Sequence, residues 1–367
     1  MFNPSRLTLA RHRRGLSKRE LAEGTGLSTR SISAYEAGTQ APQPLVIIRL
    51  ARILNFPPAF FERPDLDEPP EGSTSFRALS TLTARQSHQA QGAAALALDL
   101  ADWIEERFQI PLPDVMRLQG VSPEVAAEGI RREWKIGNMA ISNMVHLLEQ
   151  HGVRVFSLAE ECAEVDAFSF WRAGKPYVFL NTMKSAEHSR MDAAHELGHL
   201  SLHWRHGQVG GREVEIEAQA FASAFLMPSG PMIAEAPRGG RLDQLIEYKK
   251  RWKVSIAALI YRMHTLGLLS DWEFRSLFIQ MSELGYRKQE PKSVRRESSQ
   301  IFSKVLGALH EDGITRSEIA QELAIPLEEL NKLMIGLTLV SLEGRGEVSS
   351  AGKGDLYALT LTSSSEP

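Results

Sequence analysis

The stretch Met191-Asp192-Ala193-Ala194-His195-Glu196-Leu197-Gly198-His199-Leu200 decides how the middle of the chain is read. It holds the pattern His-Glu-x-x-His inside an otherwise apolar run. Residues four apart on an α-helix share one face, about a turn apart. His195 and His199 can therefore aim two imidazoles at one divalent cation, with bonds of about 2.0–2.1 Å. Glu196 does not easily ligate the same ion, but it can hold and deprotonate a water that the ion activates. Ala193, Ala194, Leu197 and Leu200 flank the motif. Charged groups buried among them are costly without a partner, and a cation supplies one.

A catalytic zinc site takes three protein ligands and keeps one position open. Downstream candidates for the third are Glu213, Glu215 and Glu217. Glu217 leads into Ala218-Gln219-Ala220-Phe221-Ala222-Ser223-Ala224-Phe225-Leu226-Met227-Pro228, a helix whose small residues allow tight packing against the histidine helix. Glu213 and Glu215 fall nearer its frayed start and are expected to be solvated. Upstream, helical patterns at Leu82–Phe108, Pro123–Trp134 and Met139–Gln150 give way to short β-rich runs at Val153–Leu158, Val165–Trp171 and Pro176–Asn181. These predict a small antiparallel sheet. Pro176–Asn181 is either an edge strand able to pair with an extended substrate chain or an ordinary paired strand. Helical pattern returns at Ser185–His203 and Val214–Phe225.

Asn181, Arg190, Ala194 to Leu200, His203, Glu217-Ala218 with Phe221-Ala222, and Leu226-Met227-Pro228 together resemble the ImmA/IrrE family of gluzincin-like metallopeptidases. Val254 to Arg262, Gly285-Tyr286-Arg287 and Glu290-Pro291 extend the resemblance over about residues 140–292. The family's third ligand is the glutamate before alanine on the second helix, which implies Glu217; Gln219 stands where asparagine is common. The resemblance also implies cleavage of repressor-like proteins, so that genes are derepressed after stress or in mobile elements. His203, one turn beyond His199, can steady the transition state, support a ligand, or simply pack beside the site. Arg190 can bind a substrate carbonyl or form an ion pair at the helix start.

At the other end of the chain, Ser17 with Glu20 three residues on reads as a capping box. Gly24-Thr25-Gly26 is a turn, Ser28 caps again, and Thr29 to Glu36 forms the next helix with Ile32 and Tyr35 inward. Two short helices across a glycine-containing turn are the helix-turn-helix plan. The second would lie in a DNA major groove, presenting Thr29, Arg30, Ser33 and Ala34, with Arg30 able to take two hydrogen bonds to one guanine. Lys18, Arg11, Arg13, Arg14 and Arg19 are candidates for phosphate contacts. Leu16 to Ala22 with Ser28, Ile32-Ser33, Tyr35 to Gly38 and Pro42 resembles the XRE, or lambda-repressor-like, family over about residues 5–62.

The chain has 367 residues, long for one domain. The divisions expected are 1–62 for the DNA reader, 63–75 for a Pro-rich acidic linker, 76–292 for the metallopeptidase domain, and 293–367 for a C-terminal helical region with a Gly- and Ser-rich tail. Within that last part, Gly313 to Leu330 looks like a second helix-turn-helix. Glu328 and Glu329 on its second helix would repel phosphate, so it reads as a packing or dimer element. The fold class expected is mainly α with a small antiparallel sheet: a five-helix N-terminal domain, a gluzincin-like domain and the C-terminal helices.

One cysteine, Cys162, excludes an internal disulfide and a cysteine-based zinc cluster. The net charge of −3 argues neither for nor against nucleic acid. No stretch reaches the roughly 20 apolar residues of a membrane span, and the chain reads as cytoplasmic. The expectation is a DNA-binding regulator with one Zn²⁺ (or Mn²⁺, since availability helps select the ion). Its partners would be a DNA operator, a repressor-like protein substrate and a second copy of itself. The alternative is a non-enzymatic helix-turn-helix factor or antitoxin whose metal is structural or sensory.

Overall fold

The computed structural model describes residues 1–69, 83–158, 165–204 and 211–338. Cys162, His206, residues 70–75 of the expected linker and the tail beyond 338 lie outside the described residues.

The N-terminal unit comprises α1 (Pro4–Arg13), α2 (Lys18–Thr25), α3 (Thr29–Glu36), α4 (Pro44–Leu54) and a 3-10 turn at Pro58–Glu62. Its fifth helical element is thus that 3-10 turn. Ser17 accepts from the Glu20 amide while Glu20 Oε2 accepts from the Ser17 amide at 2.7 Å, closing the capping box. Gly26 ends α2 at φ 67°, a left-handed conformation that costs glycine little. Leu7, Leu21, Ile32, Leu50, Leu54, Phe60 and Phe61 fill the core.

This unit docks on α5 (Ala84–Arg107), a long alanine-rich helix capped by Thr83. A Cβ added to Gly92 on α5 would meet Arg13 Cα at 3.3 Å, so glycine permits the close approach of α1. His12 stacks on His88 at 3.9 Å between ring centroids. Burial, followed by the proximity of His88 and Arg11, pushes the pKa of His12 down to about 4, so the stack is neutral at neutral pH.

The remaining elements are α6 (Pro123–Glu133), α7 (Met144–Gln150), β1 (Arg154–Ser157), β2 (Ala167–Arg172), β3 (Lys175–Leu180), α8 (Ala186–Leu202) and α9 (Arg212–Leu226). They continue through α10 (Ser229–Glu235), α11 (Leu242–Trp252), α12 (Ile256–Thr265), α13 (Asp271–Glu283), α14 (Gln300–Glu311), α15 (Arg316–Glu322) and α16 (Leu327–Met334). The chain is mainly α, as expected, but the sheet is mixed. Its order is β1-β3-β2, with β1 parallel to β3 and β2 antiparallel to it. Ala173 (φ 48°) and Gly174 (φ 78°) make the two-residue turn of the β2–β3 hairpin, with left-handed φ at both positions as such hairpins require. Alternating residues predict that strands form, not their spatial order. β3 inserts between the other two, so Pro176–Asn181 belongs to the central strand, and of the two readings open for it the ordinary paired strand holds: both of its sides are paired. One sheet face stacks Phe168 on Phe179 at 4.6 Å and Phe170 on Tyr177 at 5.5 Å. The other presents Ser169 and Trp171 to α8, where Trp171 Nε1 donates to Leu200 O at 3.0 Å.

The polar segment before α14 is pinned rather than free. Glu297 accepts from the Met144 amide at 2.8 Å, at the start of α7, while Glu149 at its end accepts from the Gln300 amide at 2.8 Å, at the start of α14. Burial pushes the Glu149 carboxyl up to about 7 against these bonds. In the C-terminal helices, Glu322 takes bonds from Trp103 Nε1 and Arg107 Nη2, each at 2.8 Å.

Glu329 on α16 joins the two ends of the chain. It is 1% exposed and receives Arg13 Nε at 2.7 Å and Arg14 Nη1 at 2.6 Å. The acidic second helix therefore acts as a packing element, clasping the N-terminal unit to the body. Removing one member of a buried ion cluster leaves the other charges uncompensated, at a cost of about 3–5 kcal/mol. Glu329→Ala is accordingly expected to lower the unfolding free energy of the full chain by that margin, read in a urea titration as the midpoint shift multiplied by the m-value, with an exposed substitution such as Glu311→Ala as the unaffected control. An unchanged midpoint would show that the clasp contributes nothing.

Candidate metal centre

α8 is capped by Ser185, whose hydroxyl accepts from the His188 amide, and runs under the sheet. Gly198 is where α9 crosses it. A Cβ there would lie 3.0 Å from Phe221 Cδ1 and 3.3 Å from Ala218 Cα, so glycine and alanine set the closeness of the two helices. That crossing brings the first turns of α9 over the two motif histidines.

His195 Nε2 and His199 Nε2 lie 3.0 Å apart. Glu215 completes the group, its Oε2 at 3.2 Å from His195 Nε2 and its Oε1 at 3.6 Å from His199 Nε2. One donor atom from each of the three lies within 4.8 Å of the others. Ligands around a tetrahedral ion with bonds of about 2.0–2.1 Å sit roughly 3.3 Å from one another, so these spacings fit such an ion, and two imidazoles with a carboxylate are a zinc-type donor set.

The helix-turn-helix family model matches residues 8–61, and residues 148–264 match the peptidase M78 model described as the IrrE N-terminal-like domain. The chain joins a helix-turn-helix domain to an IrrE N-terminal-like domain. The second match supports a peptidase, of a kind that is generally a metallopeptidase. No curated protein matches the chain.

Within the IrrE-like domain the third carboxylate differs from the sequence expectation. Glu217 is not at the two motif rings; its Oε2 lies 2.9 Å from His203 Nε2. The difference in placement has a geometric cause. α9 starts at Arg212, and the Glu215 amide is already bonded to Gly211 O at 3.3 Å, so Glu215 stands in formed helix and is not frayed. It lies nearly one turn before Ala218 and so on the same side, over the imidazoles. Glu217, two residues on from Glu215, is turned by about 200° around the axis and its carboxylate meets His203 at the end of α8.

The electrostatics follow the same pairing. The bonds to His195 and then His199 hold the Glu215 carboxyl well below the usual carboxylate range. Burial opposes charge on His195, but the Glu215 bond and the nearby Glu196 raise its pKa overall. Burial lowers that of His203, with Glu217 opposing. Glu196, 3% exposed, is held by Ser169 Oγ, which donates to its Oε2 at 2.6 Å. Sequence reasoning missed Ser169. The available signal was a lone hydroxyl inside the apolar strand Ala167-Phe168-Ser169-Phe170-Trp171.

Arg190 stands apart from this group. Its guanidinium is buried against Glu297 and donates to Ile141 O at 2.5 Å, so it serves the ion-pair role and not that of a substrate contact. In the helix-turn-helix domain, Thr29 and Arg30 are exposed on α3, with Ser33 and Ala34 half-buried beside them. Lys18 Nζ lies 3.2 Å from Glu36 but remains accessible, and Arg19 is exposed. Arg11 is bound to Glu36 at 2.5 Å, and Arg13 and Arg14 are bound to Glu329. The expectation that these three reach phosphates is corrected, because each is committed to an internal carboxylate.

Proposed function

We propose that this chain is a DNA-binding regulator whose IrrE-like domain is a zinc-dependent endopeptidase acting on a repressor-like protein. The observation that carries the reading is the convergence of His195 Nε2, His199 Nε2 and a Glu215 oxygen beside the Glu196 carboxylate. In this reading His195, His199 and Glu215 hold the ion. Bound there, it supplies Lewis acidity toward a peptide carbonyl and toward water. Glu196 takes the proton from the attacking water and delivers it to the leaving amine. Ser169 occupies one Glu196 oxygen and so orients the other. Support for a protein substrate comes from the peptidase family match. Incubating the purified chain with a panel of repressor-like helix-turn-helix proteins, with and without a chelator, tests it. Specific fragments that vanish with chelator are expected. Fragments that persist with chelator, or intact proteins throughout, would overturn it.

The DNA half of the reading assigns Arg30 to a guanine, with Thr29, Ser33 and Ala34 at the same base edges and Lys18 at phosphate. A bidentate arginine contact contributes about 1–3 kcal/mol of base discrimination. Arg30→Ala is therefore expected to weaken operator binding roughly 5- to 150-fold in a gel-shift at fixed salt, using the gene's own promoter. Unchanged binding would remove Arg30 from the reader.

A further inference from the structure

Glu217 and His203 have no role in the metal site as described so far, yet they form a continuous chain with it. His203 is 5% exposed. Its Nε2 lies 2.9 Å from Glu217 Oε2, and its Nδ1 lies 3.1 Å from His199 Nδ1. His199 Nε2 in turn faces His195 and Glu215. Two ring nitrogens facing each other at hydrogen-bond distance can share only one proton. Where it sits is decided at the two ends of the chain.

We propose that Glu217 is a positioning residue that orients the ligand His199 through His203. This rests on the reading of His195, His199 and Glu215 as a metal site. A histidine that gives its Nε2 lone pair to an ion and stays neutral carries its proton on Nδ1. His199 then donates from Nδ1 to His203 Nδ1. A neutral His203 that accepts at Nδ1 must carry its own proton on Nε2, and it donates that proton to Glu217. Every bond then has one donor and one acceptor, and the order runs one way: His199, His203, Glu217. The carboxylate fixes the tautomer of both rings and the angle of the ligand. Partners of this kind behind a ligating histidine typically change metal affinity by about 10–100-fold.

Zinc affinity, measured by competition with a chromogenic chelator, tests this without any substrate. Glu217 is half-exposed, so its variants are expected to fold, which circular dichroism checks. Glu217→Ala is expected to bind zinc about 10–100-fold more weakly than the wild type. Glu217→Gln is expected to stay close to wild type, because the amide oxygen accepts the same bond. Long-range proton–nitrogen NMR of the zinc-loaded chain is expected to place a proton on His203 Nε2. Wild-type affinity in Glu217→Ala, a loss in Glu217→Gln as large as in Glu217→Ala, or the proton on His203 Nδ1 would each overturn the relay. If the wild type itself holds no zinc, the metal site falls along with it. If the wild type binds and Glu217→Ala binds equally well, only the relay falls.

Discussion

Glu196→Gln is expected to lower the rate of peptide cleavage by about 10²–10⁴-fold, the usual contribution of a positioned general base, while zinc binding stays near the wild-type level. The substitution keeps the shape of the side chain and can keep a bond to Ser169, which now donates at 2.6 Å. It removes the capacity to take a proton from water. The carboxylate is almost fully enclosed and contributes no donor atom to the three-ligand group, so metal content is not expected to follow activity. Measuring both on one preparation separates chemistry from folding. Cleavage by Glu196→Gln at the wild-type rate would sink the assignment of the base, and with it the hydrolytic mechanism.

The second large effect concerns the ion itself. His199→Ala and Glu215→Ala are each expected to reduce bound zinc from about one ion per chain to a small fraction of that after dialysis, since a structural or catalytic zinc takes at least three protein ligands. Glu217→Ala, by contrast, is expected to retain most of its zinc under the same dialysis. That contrast is what the two glutamate positions imply. Glu215 lies 3.2 Å from His195 Nε2, whereas Glu217 lies 2.9 Å from His203. Elemental analysis of the variants side by side decides it. Full zinc in Glu215→Ala with none in Glu217→Ala would return the third ligand to the position that the family resemblance implies.

Much of this protein is set by local pattern. His195 and His199 share a helical face because of their spacing alone, and Ser17 with Glu20 caps α2 through groups three residues apart. Helix boundaries and the three strands follow from periods that a short window contains, because backbone geometry and capping are local. Which carboxylate meets the imidazoles is a different kind of fact. It depends on the rotation of α9 against α8, fixed where Gly198 meets Ala218 and Phe221, and no window around Glu215 or Glu217 encodes that angle. The same holds for β3 lying between β1 and β2, for Ser169 reaching Glu196 across 27 residues, and for Arg13 and Arg14 meeting Glu329 from the opposite end of the chain. Residue types and their spacing determined which groups were available for chemistry. Packing between distant elements, driven by burial and by the need to pair enclosed charges, decided which of those groups came together.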